Sequence, residues 1–506
     1  MRGMRKTAAG LVLSLALALW LTVPAFARPD WPSDTGVQSE AGIVMDVDSG
    51  TVLFGQNIHE QKAPASIVKI LTALVVIENA DLDGTVTFSH DAVYNVEDGS
   101  GNKNAIEEGD RLSVRDCLYL MLLRSSNQAA NALAEHVGGS RDGFVEMMNA
   151  KADELGCMES HFANPSGLND DTQLTSVYDM ALISRAAYRN PTLLEISSST
   201  SYRLPATINN PDGVTISAEH KLLITEDESS ENYYPDAVAG KTGYTSIAGQ
   251  TLVTYAERDG RRLISVTMRS TEATHYQDAI ALLDFGFLRF KNVRIAENET
   301  EYTAGSDPVT LGTETFSPSD LSMDEEAVIT LPADAAFSDA EKTVETDLGT
   351  DRPAGAVALL AYTYNERKIG QVYLISASRA AAEAAGSLPP GAGETAGESA
   401  PEGGAADPGT AGSDPAADDG FLPEAGSDQV TGVSLSAKSA ALAGAAVAAV
   451  ALAAVGVILL KKKQEEERRR MEERRRRRRQ RLEEIGCSEE EFERLLRART
   501  GQKKER

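Results

Sequence analysis

The sequence predicts a mixed α/β (α+β) chain: an antiparallel sheet flanked by helices, then a small all-β domain and a C-terminal membrane-spanning helix. Three observations carry this. Ala41–Asp46 with Thr51–Gly55, and Gln250–Ala256 with Arg261–Met268, are apolar runs joined by the turn sequences Asp48-Ser49-Gly50 and Glu257-Arg258-Asp259-Gly260, the pattern of β-hairpins. Between these pairs lie apolar stretches with helical spacing. Ala440 to Leu460 is an uncharged run of 21 residues, long enough to cross a bilayer.

Taken in order, residues 1–27 read as a secretory signal peptide. Arg2, Arg5 and Lys6 precede an apolar stretch from Ala8 to Val23, and Ala25-Phe26-Ala27 offers a cleavage site before Arg28. Residues 28–293 make the helix-and-sheet domain. After the first hairpin, Pro64 sits at a tolerated first-turn position and an apolar run extends to Ile77, so a helix starts there. Residues 81–110 read as a polar loop. Helical character returns at Leu112 and stops at Arg124, with a second helix over Ala132–Val137. Phe144–Leu155 and Met180–Tyr188 add two more, the latter behind a cap at Thr175–Asp179. A helix over Tyr276–Leu283 leads into Asp284–Phe287 and closes the domain.

Residues 294–378 alternate Thr and Val runs with Gly, Asp and Pro; Val357–Tyr362 and Gln371–Ile375 read as strands of a small β-rich domain. Residues 379–432 hold almost no large apolar side chains, a composition that cannot bury a core and predicts a disordered acidic linker. The span 433–460 follows, and then a basic tail, 461–506, with Lys461-Lys462-Lys463 at its start. Such a flank places the tail in the cytoplasm and the main body outside, in a single-pass arrangement at the cell membrane.

The formal net charge of −27 conceals an asymmetry: residues 28–433 hold 64 acidic and 26 basic side chains. An acidic main body argues against nucleic acid as a partner. Cys117 and Cys157 could pair, but nothing in the sequence requires it, and no Cys/His cluster has metal-ligand spacing.

Three motifs carry chemistry. In Ser66-Ile67-Val68-Lys69 a hydroxyl and an amine fall on one helix face. A neutral lysine can take the serine proton if burial or nearby cations depress its pKa. Ser100-Gly101-Asn102-Lys103 repeats the spacing, but in the polar loop with no apolar helix behind it. Ser125-Ser126-Asn127 lies at the junction of two apolar helices, where polar side chains face a cleft. Lys241-Thr242-Gly243 begins a strand pair; lysine and a hydroxyl suit a carboxylate ligand, and the flanking glycines permit close backbone approach.

In this order, in an exported chain, the three motifs resemble those of the penicillin-recognising serine enzymes, and within them the low-molecular-mass D-alanyl-D-alanine carboxypeptidases. Phe162-Ala163-Asn164-Pro165-Ser166-Gly167-Leu168, Ala248-Gly249 and Leu282–Phe287 extend the resemblance over Gly42–Phe287. It implies a DD-peptidase/β-lactamase-like domain, needing no cofactor, that acts on peptidoglycan stem peptides ending in D-Ala-D-Ala. Ser66 is then the nucleophile, Lys69 the general base and Ser125 a proton relay. Asn127 binds the substrate amide, Lys241 and Thr242 grip the terminal carboxylate, and Gly243 and Tyr244 complete the binding strand, with the N–H groups of Ser66 and Tyr244 as oxyanion hole. β-Lactams become covalent inhibitors. Ser126, Gln128 and Tyr244 depart from residues that some members carry. Class A β-lactamases of this fold add a glutamate in a loop between the second and third motifs; Asn164–Leu168 has no acid, which favours the peptidase over that alternative. A non-catalytic wall-binding scaffold is the other alternative, and it has no chemical need for these side chains.

Overall fold

The computed structural model describes residues 28–96, 100–349 and 352–386. Its centre is a five-stranded antiparallel sheet built from β1 (Ala41–Asp46), β2 (Val52–Gln56), β3 (Ala237–Thr245), β4 (Gly249–Arg258) and β5 (Arg261–Ser270), in the order β2-β1-β5-β4-β3. Both expected hairpins are present, and β1 closes the sheet by pairing with β5. All six residues of β1 are buried because helices cover both faces. Ile43, Met45, Val253 and Ile264 point into one core; their neighbours Val44, Leu252 and Leu263 point into the other, as the two-residue period of a strand requires.

The first core is helical. A 3₁₀ turn, Ala65–Val68, feeds α1 (Lys69–Asn79), which is buried from Lys69 to Val76. It packs against α2 (Val114–Arg124), α3 (Asn127–Gly138), α4 (Arg141–Glu154) and α5 (Val177–Arg189). Side-chain caps set their starts: Ser113 with Asp116 forms a capping box on α2, and Ser126, Ser140 and Ser176 cap α3, α4 and α5. The opposite face is covered by α6 (His275–Arg289). This helix takes in Asp284–Phe287, which the sequence reading left beyond its end. Gly286 lets it approach the sheet, since a Cβ there would lie 2.6 Å from Leu263 Cδ1.

Two expectations are corrected, at 81–110 and at 379–432. The supposed loop 81–110 contains a short strand, Thr85–Thr87, paired with Arg111–Ser113, and a helical turn, His90–Tyr94; buried Val86, Phe88 and Ile106 anchor it. Residues 191–217 hold a helix, Pro191–Ser198, and a hairpin, Ser201–Leu204 with Val214–Ser217. The segment 379–432 does not begin disordered: a helix runs from Ala377 to Ala384, capped by Ser376, with Glu383 accepting from Arg352 and from the Gly355 amide. Cys117 and Cys157 are buried and free.

The β-rich part starts earlier than residue 294. Phe290–Arg294 pairs with Val328–Pro332, and Ala356–Tyr364 and Arg367–Ser376 form the main hairpin of a second sheet. Ile329, Leu331, Leu360, Tyr362 and Leu374 make its core. It meets the first domain through Ser49 Oγ, 2.7 Å from Thr330 Oγ1, and through Trp31, whose ring packs at a tilt against Phe290 and Tyr364. Ala440–Leu460 lies outside the described residues; among those described, no helix is long and apolar enough to cross a membrane.

Filling the α6–sheet contact tests the packing. Gly286→Val forces a branched side chain against Leu263, Leu53 and Val44. Overpacking of this kind costs about 1–3 kcal/mol, so thermal unfolding by circular dichroism is expected at a lower temperature with the secondary structure intact.

Candidate active site

Ser66, Lys69 and Asn127 meet in hydrogen-bond contact in the groove between the helical half and the edge strand β3, with Gly243 of that strand against the Ser66 nitrogen; Ser125 lies at the α2–α3 junction and Lys241 on β3. Ser66 sits in the 3₁₀ turn that opens α1. The turn is unusual: Ala65 has a positive φ of 51°, a conformation that costs a non-glycine residue and persists only when its surroundings hold it. Those surroundings are visible. Thr251 Oγ1 on β4 donates to the Pro64 carbonyl at 2.9 Å. A Cβ on Gly167 would fall 2.0 Å from the Ala65 carbonyl oxygen, and one on Gly243 would fall 2.9 Å from the Ser66 nitrogen. Two glycines from separate segments therefore clasp the Ala65–Ser66 peptide, and no other residue type permits it.

Lys69 opens α1 and is completely buried. Its Nζ lies 3.0 Å from Ser66 Oγ. It donates to Asn127 Oδ1 at 2.8 Å and to the carbonyl of Ser166. Burial pushes this amine well below its ordinary value, and the positive charges of Lys241 and Lys103 add to the effect against an opposing pull from Glu219. A neutral amine has two hydrogens and one lone pair. The two carbonyl oxygens accept the hydrogens, which leaves the lone pair for the Ser66 hydroxyl.

Asn127 and Ser125 owe their positions to the α2–α3 junction. Ser125 ends α2 in the left-handed conformation, and Ser126 caps α3 by accepting from the Ala129 amide at 3.2 Å. The chain reverses there and brings Asn127, the first residue of α3, onto Lys69. Gln128 donates to the Gly101 carbonyl at 3.2 Å and so ties the 100–110 loop to the cleft.

Lys241, Thr242, Gly243 and Tyr244 lie well inside the nine-residue strand β3 rather than at its start. β3 is an edge strand, with one side unpaired. Lys241 is buried and donates to the Thr242 carbonyl at 2.8 Å, whereas Tyr244 is 65% exposed. Burial brings Lys241 down to about 7; Glu219 opposes the shift and Lys103 adds to it. Behind Lys241 sits His220, fully buried and held at about 3 mainly by burial, with Nε2 3.1 Å from Thr254 Oγ1.

Several supports were not legible in the sequence. Asn164 Oδ1 accepts from the amides of Ser166 and Gly167, and Thr72 Oγ1 donates to the Pro165 carbonyl at 2.7 Å. These bonds aim the Ser166 carbonyl at Lys69. The turn was recognisable, but its use of a main-chain oxygen leaves no side-chain signal. The nearest acid beyond it, Asp170, accepts from Thr172 instead. Lys103, Arg124 and Glu219 form a cluster beside the groove that nothing in the sequence pattern announced.

The model of the D-alanyl-D-alanine carboxypeptidase family (peptidase family S11) matches residues 28–272. The chain is 36% identical over 267 residues to D-alanyl-D-alanine carboxypeptidase DacB2 of Mycobacterium tuberculosis, covering 51% of this chain and 84% of that one. It is 30% identical to DacA of Escherichia coli over 313 residues, 60% of this chain and 72% of that one. The crystal structure of penicillin binding protein 6B from Escherichia coli superposes with a TM-score of 0.50 at 27% identity, over 69% of this chain and 98% of that one. The fold and groove define a serine DD-peptidase of mixed α/β architecture, with antiparallel sheets and flanking helices. The chain belongs to the D-alanyl-D-alanine carboxypeptidase family.

The depressed Lys241 has a consequence for stability. Between about 7 and its ordinary 10.5 the unfolded chain binds a proton at this side chain and the folded protein does not. Stability therefore rises with pH across that window, by at most about 1.4 kcal/mol per pH unit from this group. Comparing thermal unfolding at pH 7 and pH 9.5, Lys241→Met is expected to show a smaller gain than the parent.

Proposed function

We propose that the chain removes the terminal D-alanine from peptidoglycan stem peptides ending in D-Ala-D-Ala, through an acyl-enzyme on Ser66. The observation that carries this reading is the buried Lys69 amine, held by the Asn127 and Ser166 carbonyls with Ser66 Oγ 3.0 Å away. A serine hydroxyl needs an adjacent base to become a nucleophile, and an uncharged lysine supplies one. Ser66 Oγ attacks the carbonyl between the last two residues while its proton passes to Lys69. The oxyanion is held by the Ser66 and Tyr244 N–H groups; Gly243 allows that approach. Ser125 relays a proton to the leaving amine, D-alanine departs, and water hydrolyses the ester by the reverse proton path.

Substrate binding follows from charge. Lys241 and Thr242 take the terminal carboxylate, and Asn127 Nδ2 remains available to the substrate amide while its oxygen holds Lys69. An arriving carboxylate favours charged Lys241, which titrates near neutrality in the free enzyme, so binding draws in a proton. β-Lactams carry a carboxylate in the corresponding place and would acylate Ser66 without rapid release. The acid-free turn at Asn164–Leu168 supports a slow deacylation of such adducts, and hence a peptidase rather than a β-lactamase.

Residues 1–27 would export the chain, and Ala440–Leu460 would anchor it with the catalytic domain outside the cell and the basic tail inside. A protease added to intact cells is then expected to remove the catalytic domain and spare the tail; a catalytic domain protected until lysis would reject this topology.

Two measurements address the chemistry. Incubated with an acyl-D-Ala-D-Ala peptide and with a fluorescent penicillin, the protein is expected to release D-alanine and retain the label, and Ser66→Ala to lose both. D-Alanine release that survives in Ser66→Ala overturns the mechanism. In the pH profile of kcat/KM, loss of the Lys241 proton sets the alkaline limb. Lys241→Arg keeps its charge at every accessible pH, so the alkaline limb should move upward even though the maximum falls.

A further inference from the structure

The repeat of the Ser-x-x-Lys spacing at Ser100–Lys103 is not the nucleophile motif, yet its lysine belongs to a charged cluster that adjoins the second and third motifs. Lys103 Nζ lies 2.8 Å from both carboxylate oxygens of Glu219, and Arg124 Nη1 lies 3.3 Å from Glu219 Oε1. Three separate segments meet in this cluster. Arg124 immediately precedes Ser125 at the end of α2. Glu219 immediately precedes His220, which backs β3 at Gly240. Lys103 stands on the loop whose Gly101 carbonyl is held by Gln128, the neighbour of Asn127. The same loop is fastened on its other side by Asn210 to the Asn104 carbonyl and by Asn209 to the Ala105 carbonyl. It is thus fixed beside the second and third motifs.

The charges in the cluster do not balance. Lys103, Arg124 and, when protonated, Lys241 surround one carboxylate, in a protein whose formal net charge is −27. The side chains remain open to solvent: Lys103 is 42%, Arg124 30% and Glu219 28% exposed. Glu219 holds Lys103 in one direction with both oxygens, which lowers the ordering cost a free lysine meets on binding. An ammonium has three donors, so Lys103 retains capacity for a further acceptor.

We propose that Lys103, presented by Glu219, is a second contact for the free C-terminal carboxylate of the substrate, and so determines the preference for a carboxylate-terminated chain. The inference rests on the carboxypeptidase reading above, because that reading brings a terminal carboxylate to Lys241. Lys103 supplies the charge that a half-protonated Lys241 lacks near neutral pH. It takes no part in proton transfer to or from Ser66.

The test uses the full chain and two thioesters that share an acyl-D-alanyl group: its thioglycolate thioester, which carries a free carboxylate, and the methyl ester of that compound, which does not. For Lys103→Met, kcat/KM on the carboxylate compound is expected to fall about tenfold, the effect of losing one partly exposed charge-assisted contact. On the methyl ester it is expected to stay within about twofold, the spread left by surface substitutions of up to about 0.5 kcal/mol. Lys103→Arg should retain most of the carboxylate preference. An equal loss on both compounds would mark Lys103 as merely structural and overturn the proposal; so would an unchanged preference. Failure of the parent protein to turn over either compound would refute the carboxypeptidase reading, and the Lys103 proposal with it.

Discussion

The site depends on one desolvated amine. Lys69 is placed where water cannot reach it, and the protein gives it two carbonyl acceptors and a hydroxyl. Burying an ammonium without a counter-charge is unfavourable enough that the group sheds its proton instead. Among the described residues no carboxylate pairs with Lys69, and the nearest charges named above include Lys103 and Lys241. The same absence that would destabilise an ordinary buried lysine here sets its chemical role. The surrounding fold can be read as the means of keeping Ser66, Asn127 and the Ser166 carbonyl around that nitrogen.

Those three partners come from elements with different physical origins. Ser66 and Lys69 share one helical turn, so their spacing is local and rigid. Asn127 is delivered by a helix cap, Ser126, and by the left-handed residue Ser125 that ends the preceding helix. Ser166 is delivered by an Asn-centred turn whose shape is held by side-chain bonds from Asn164 and Thr72. Each could be displaced without the others. What joins them is the strained Ala65, clasped by Gly167 from the turn and by Gly243 from the edge strand. Strain at a nucleophile persists only where neighbours over-determine it, and here the neighbours are the other two sides of the site.

Much of this was legible before any coordinates. The hairpins around β1, β2, β4 and β5 follow from alternation and turn residues, and the helices from their apolar spacing and Ser caps. Ser66, Lys69, Ser125, Asn127 and Lys241 carry functional groups whose spacing announces them. The main-chain acceptor at Ser166 was invisible, because a carbonyl is present at every residue and only tertiary geometry selects one. The 81–110 region was misread for a related reason: its buried Val86, Phe88 and Ile106 are isolated apolar residues in a polar background, too few to form a period. The helix over Ala377–Ala384 escaped notice because alanine composition alone does not distinguish an anchored helix from a linker. Its anchor is long-range, from Glu383 to Arg352 and Gly355.

The charge pattern links the scale of the chain to that of the site. A strongly acidic main body repels a carboxylate-bearing substrate at long range, and screening confines that repulsion to roughly 8–10 Å at moderate ionic strength. Within that distance the sign must be reversed locally, which takes more than one cation. Lys241 alone is insufficient, because the burial that lets it approach the substrate also weakens its hold on a proton. Lys103 and Arg124 stand nearer to solvent, and Glu219 pairs with both. Division of labour between a buried lysine that confers geometry and exposed cations that sustain the field resolves a conflict that neither kind of residue could meet by itself.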